Sequence, residues 1–101
     1  MPSYRAILQI TGLRPGNPPE RVMEAAQEAL ASRHLVEATQ LDVVRGVPQL
    51  TLRFLVEAAS DDDEAAAARA SALVMHEAVE EVATTGRLRL LRRQRGRWVP
   101  A

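Results

Sequence analysis

Apolar and polar side chains alternate through residues 4–11, with Tyr4, Ala6, Leu8 and Ile10 on one face and Arg5, Ile7, Gln9 and Thr11 on the other. That period of two predicts a half-buried strand. Residues 12–19 hold two glycines and three prolines, which is turn chemistry. The segment ends in Asn17-Pro18-Pro19, where Asn17 is placed to cap a helix whose first turn tolerates proline. From Glu20 to about Ser32 the spacing changes to the helical period, with Val22, Ala26, Ala29 and Arg33 in one stripe, broadened by Met23 and Leu30. Residues 35–45 are rich in strand formers, and Gly46-Val47-Pro48 separates them from residues 49–58. In that second run Leu50, Leu52, Phe54 and Val56 alternate with Thr51, Arg53, Leu55 and Glu57, so the pair predicts a hairpin. Ser60 precedes the acidic run Asp61 to Glu64, which suits the positive end of a helix dipole. A second helix is expected to reach about Thr84, burying Ala68, Ala72, Met75, Val79 and Val82, with Gly86 as its terminator. Residues 87–99 form the last predicted strand, with Leu88 and Leu90 on one face, Arg87, Arg89 and Leu91 on the other, and a bulge or bend at Gly96.

The predicted order is strand, helix, strand, strand, helix, strand in one domain spanning residues 1–101. This is an α+β arrangement of the ferredoxin-like βαββαβ type. It implies a four-stranded antiparallel sheet of order 4-1-3-2 with both helices on one face, because each crossover is right-handed. The other face is then open. Arg5, Arg53 and Arg89 are expected there as a polar surround to Ile7, Leu55 and Leu91, the candidate anchors of a homodimer interface.

The loop before the first helix could hold an anion or a small ligand through Gly12, Arg14 and Gly16, since helix N-termini favour negative charge. A plain connecting turn explains the same residues. Leu13-Arg14-Pro15-Gly16 resembles the loop of the ACT family of small regulatory domains, which commonly carries Asp-x-Pro-Gly before its helix; the acidic position here is leucine. The resemblance implies the βαββαβ topology, an amino-acid ligand bound between subunits, and a habit of dimerisation.

Composition closes several routes. The chain has 101 residues and no cysteine, so thiol catalysis and thiolate metal sites are excluded and nothing points to an oxidising compartment. All thirteen basic residues are arginine, which excludes Schiff-base and P-loop lysine chemistry. Together with seventeen alanines the bias suggests a GC-rich bacterial coding sequence. No apolar run approaches membrane-spanning length and no leader pattern is evident, so a cytoplasmic protein with no membrane partner is expected. His34 stands alone. His76 has Glu80 four residues on, which is too few ligands for a metal. Serines 3, 32, 60 and 71 have no evident histidine partner. No catalytic residue, metal ligand or cofactor site is predicted.

The formal net charge of zero is a cancellation. Residues 1–56 hold six arginines and five acids, residues 57–81 one arginine and eight acids, and residues 82–101 six arginines and no acid. The acidic second helix and the basic final strand are therefore opposite poles. Arg87, Arg89, Arg92, Arg93, Arg95 and Arg97 fall within eleven residues beside Trp98. Arginine binds phosphate bidentately and tryptophan stacks on bases, so Arg87, Arg89, Arg93, Arg95, Arg97 and Trp98 form a candidate site for single-stranded RNA. Tyr4 and Phe54 fall on the helix-covered face by alternation and cannot contribute to it. Protection of a sheet edge by charge, or pairing with a partner subunit, accounts for the same arginines. The functional expectation is a non-enzymatic, homodimeric ferredoxin-like domain with a small regulatory ligand. Single-stranded RNA binding, and a small dimeric α+β barrel enzyme, are the alternatives.

Overall fold

The computed structural model of the chain describes residues 2–57 and 60–101. The elements follow as β1 (Ser3–Leu13), α1 (Pro19–Ala31), β2 (Leu35–Val44), β3 (Val47–Leu55), α2 (Asp61–Glu80), β4 (Ala83–Gln94) and β5 (Arg97–Pro100). They make an α+β fold compatible with the ferredoxin-like arrangement. Its antiparallel sheet has five strands in the order β2-β3-β1-β4-β5, not the four expected. The expected order survives inside it, with β5 added beside β4. The final predicted strand is thus a hairpin. Arg95 and Gly96 sit at φ 51° and 77°, and Arg45 and Gly46 between β2 and β3 at 54° and 80°. Two consecutive left-handed residues match the twist of a two-residue hairpin, so the same Arg-Gly pair turns the chain twice. The Val47-Pro48 expected in the first of these loops already lies in β3. Ala58, expected at the end of that strand, lies outside the described residues.

Alternation holds through the central strands. Tyr4, Ala6, Leu8 and Ile10 of β1 join Leu50, Leu52 and Phe54 of β3 in one core under Val22, Ala26 and Leu30 of α1 and Ala68, Ala72, Met75 and Val79 of α2. Tyr4 pairs with Phe54 across the strands, and their rings stack with centroids 6.0 Å apart. Burial of this apolar stripe from each helix is what docks them on the sheet. Arg33, expected to extend the α1 stripe, follows the helix and is exposed.

Both helix starts use the local chemistry available. Pro18 is the N-cap of α1, and Asn17 closes the preceding loop instead, donating from its side-chain amide to the Arg14 and Pro15 carbonyls. Ser60 caps α2 as expected, its Oγ accepting from the Asp63 N–H at 3.1 Å. Glu64, read in the sequence as one more helix-dipole charge, faces inward and is only 6% exposed. It accepts hydrogen bonds from Tyr4 Oη at 2.7 Å and Arg92 Nε at 2.9 Å.

The end of α2 also departs from the sequence expectation. The helix stops at Glu80, and Gly86 lies inside β4. The register of β4 on β1 shifts between Leu8 and Ile10 and again between Ile10 and Gly12. At the first shift the Gln9 side chain lies over Gly86. A Cβ there would approach Gln9 Oε1 to 2.7 Å, and that oxygen accepts the Arg87 N–H at 2.9 Å. The glycine permits close approach and ends no helix.

Candidate functional site

The open face of the sheet gathers charge from four strands. Cross-strand pairing sets Arg5 of β1 opposite Arg53 of β3 and Leu91 of β4, and sets Ile7 opposite Thr51 and Arg89. Adjacent like charges are unfavourable. The relief comes from β5, where Trp98 pairs with Arg93 and its indole reaches inward over β1. The guanidinium carbons of Arg5, Arg53 and Arg93 lie 4.2, 5.4 and 5.3 Å from the ring centroid. Each is in the range of a cation–π contact. One carboxylate joins the group. Glu37, brought in by the register shift between Val36 and Ala38, accepts from Ser3 Oγ at 2.9 Å and lies 3.2 Å from Arg53 Nε. That Nε is buried without an aligned acceptor, so the Glu37 contact is one of charge rather than a directed hydrogen bond.

The predicted interface residues share this face but play unequal parts. Ile7 is only 9% exposed within the single chain and has little area left to bury against a partner. Leu55 and Leu91 are half-buried. The arginines of the last segment divide. Arg89 and Arg93 belong to the open face, Arg95 occupies the turn, and Arg97, out of phase with Trp98, points with the helix side. Arg92 is on the helix side as well, bound to Glu64 and 3.8 Å from Asp61. Sequence proximity thus overstated the number of arginines available together, and it missed the two from β1 and β3 that meet Trp98.

The loop residues Gly12, Arg14 and Gly16 do not converge. Gly12 pairs with Thr84 inside the sheet, while Gly16 stands open at φ 83°. Arg14 is committed to the end of α2, with Nη2 3.1 Å from Glu80 Oε2 and Nε donating to the Glu80 carbonyl. Thr85 also donates to Glu80 and, with its one hydroxyl proton so used, accepts from His76 Nε2–H at 2.8 Å. The Thr85 hydrogen bond above all, then Arg14 and His76, holds the Glu80 carboxyl below its ordinary range. The cluster is a clasp between the first loop, α2 and β4.

Ser71 proves to have a histidine partner. His34 lies 2.7 Å from its Oγ and 5.3 Å ring to ring from Phe54. Burial first, and the neighbouring Arg33 charge second, push the imidazole below its ordinary pKa. Ser71 is 2% exposed, so its hydroxyl is closed to a substrate, and the pair ties α2 to the α1–β2 connection. Among the described residues no three acidic, histidine or cysteine side chains come together as metal ligands. Among them, too, no helix is long and apolar enough to cross a membrane.

A cleft of about 290 Å³ opens between α1 and the β2–β3 hairpin, lined by Ile10, Leu13, Val22, Met23, Leu41 and Leu50 among others. It is apolar and borders β2, almost all of whose residues are exposed, including Leu35, Leu41, Val43 and Val44. No known protein family, curated protein or solved structure matches the chain. The resemblance to ACT domains expected from the first loop gains no support from these comparisons, and the structure bears out only an α+β fold compatible with the ferredoxin-like arrangement.

Proposed function

We propose that the chain is a non-enzymatic dimerisation domain that joins its copy along β2 and offers a small apolar ligand the cleft beside that seam. The observation that carries this is the unequal treatment of the two sheet edges. β5 is four residues long and is flanked by Arg95 and begins with Arg97, a short and charged edge of the kind that resists pairing. β2 runs for ten residues, with Leu41 61% and Val43 68% exposed. Its two acids are already engaged, Glu37 by Arg53 and Ser3, and Asp42 by Gln40 at 2.8 Å. A long apolar edge with free backbone groups is a template for another strand. A twofold axis across it would pair β2 with itself antiparallel and continue one sheet through both copies.

Packing the open faces together, as in an α+β barrel, is less favourable. It would set Arg5, Arg53, Arg89 and Arg93 against their own copies. Edge pairing leaves that face uncovered. Sedimentation and native mass spectrometry test the seam. The unaltered chain should be dimeric at micromolar concentration. Leu41→Lys with Val43→Lys, which sets like charges across the seam, should be monomeric while still unfolding in one cooperative transition, its midpoint lowered only by the loss of assembly, while Leu73→Lys on exposed α2 should stay dimeric. A monomeric unaltered chain would overturn the proposal, and so would a double variant that stays dimeric.

A further inference from the structure

The cluster around Trp98 carries an inference that stands independently of the β2 seam. We infer that the open sheet face binds single-stranded nucleic acid, with a base stacked against Trp98 and phosphates held by Arg5, Arg53 and Arg93. Three guanidiniums converge on one indole, and among the described residues Glu37 is the only carboxylate within ion-pair distance of any of them. The site has surplus positive charge that the fold itself leaves unmet. Stacking does not exhaust an arginine. A guanidinium lying on a ring keeps its N–H donors in its own plane, directed outward around the ring, where they can meet phosphate oxygens. Trp98 is half-buried, so indole surface remains for a partner.

An indole with three guanidiniums within 5.4 Å of its centroid fits a ligand that alternates flat bases with anionic groups, because stacking and phosphate contact are then made at neighbouring points. An acidic protein surface would satisfy the charges and leave the indole unused. Duplexes hide their base faces, which favours single strands. The acidic pole of the chain does not forbid this. Asp61, Asp62 and Asp63 belong to α2, on the opposite face of the sheet, and at physiological salt charges are screened over about 8 Å.

Trp98 is the only tryptophan in the chain, so its fluorescence reports on the site without labelling. Titration of the full chain with short oligo(U) or oligo(dT) at about 50 mM salt should quench it saturably. The slope of log affinity against log salt should be about −2, as expected for three arginine–phosphate contacts on a single strand. Arg93→Gln, on an exposed side chain, should weaken binding about fivefold and flatten the slope. Trp98→Leu, followed by anisotropy of a labelled oligonucleotide, should weaken it about tenfold or more. Absence of binding at about 50 mM salt would overturn the inference. So would poly-glutamate competing as well as oligonucleotide, which would assign the face to an acidic protein surface. An Arg93→Gln variant with unchanged affinity and slope overturns it too, even if Trp98→Leu fails to fold.

Discussion

Replacing Tyr4 by phenylalanine should remove the alkaline instability of this fold almost completely, and the composition makes the experiment unusually clean. The chain has no cysteine and no lysine, and one tyrosine. Above the titration of the α-amino group at about 8, Tyr4 is therefore the one side chain that ionises before arginine. Its phenol is fully buried, donates to Glu64 at 2.7 Å, and cannot lose its proton without setting a phenolate against that carboxylate. Burial chiefly, and Glu64 next, push its pKa from 10.0 up to about 12. The unfolded chain releases the proton first, so the stabilisation is whole below pH 10 and is lost as pH rises toward 12. Integrating between the two values gives a loss of about 2 kcal/mol, which moves a urea midpoint by about 1 M for a domain of this size. Urea unfolding followed by circular dichroism at a series of alkaline pH values measures it, and phenolate absorbance reads the native pKa. Tyr4→Phe should cost about 1.5–3 kcal/mol at neutral pH, because the hydrogen bond to a charged acceptor is gone. Above pH 10 its stability should then be nearly flat. A native phenolate that forms near 10, or a Tyr4→Phe variant that declines as steeply as the parent, would refute the reasoning.

The remaining predictions concern His34 and the second hairpin turn. Because the folded His34 has a depressed pKa, the unfolded imidazole takes up its proton first, so stability should fall as pH drops below about 6.5; unfolding midpoints that stay level through that window, with NMR showing His34 titrating normally, would contradict it. Gly96→Ala puts a Cβ on a residue at φ 77° and should cost about 1–2 kcal/mol. Thermal melting should register this as a lower midpoint, with Trp98 emission reporting whether β5 stays docked, and an unchanged midpoint would count against the turn.

Much of the architecture was legible from spacing. Period two assigned Tyr4, Leu8, Leu52 and Phe54 to the core and Arg5, Ile7, Arg53 and Arg89 to the opposite face, and the structure agrees on each. The failures cluster where one residue type serves two purposes. Glycine ends helices, makes turns and permits close approach, and Gly86 and Gly96 were each assigned to the wrong use. The acidic run at the start of α2 looks uniform, but every third or fourth position of a helix returns to the same side. Glu64 is thereby carried inward to Tyr4 and Arg92, a contact across 60 residues.

The candidate site divides in the same way. Its ingredients were visible as an arginine-rich segment beside the only tryptophan, and alternation already placed Arg5 and Arg53 on an open face. That Trp98 lies over Arg5 and Arg53 depends on strand order, which seats β5 beside β4 and β4 beside β1. Local periodicity is written along one dimension, so the sequence by itself determined which side of each element meets the core. Neighbourhood across a sheet is set by ladder hydrogen bonds between segments far apart in the chain. Only the tertiary structure therefore decided which arginines share an indole, which are spent on Glu64 and Glu80, and which sheet edge is left bare.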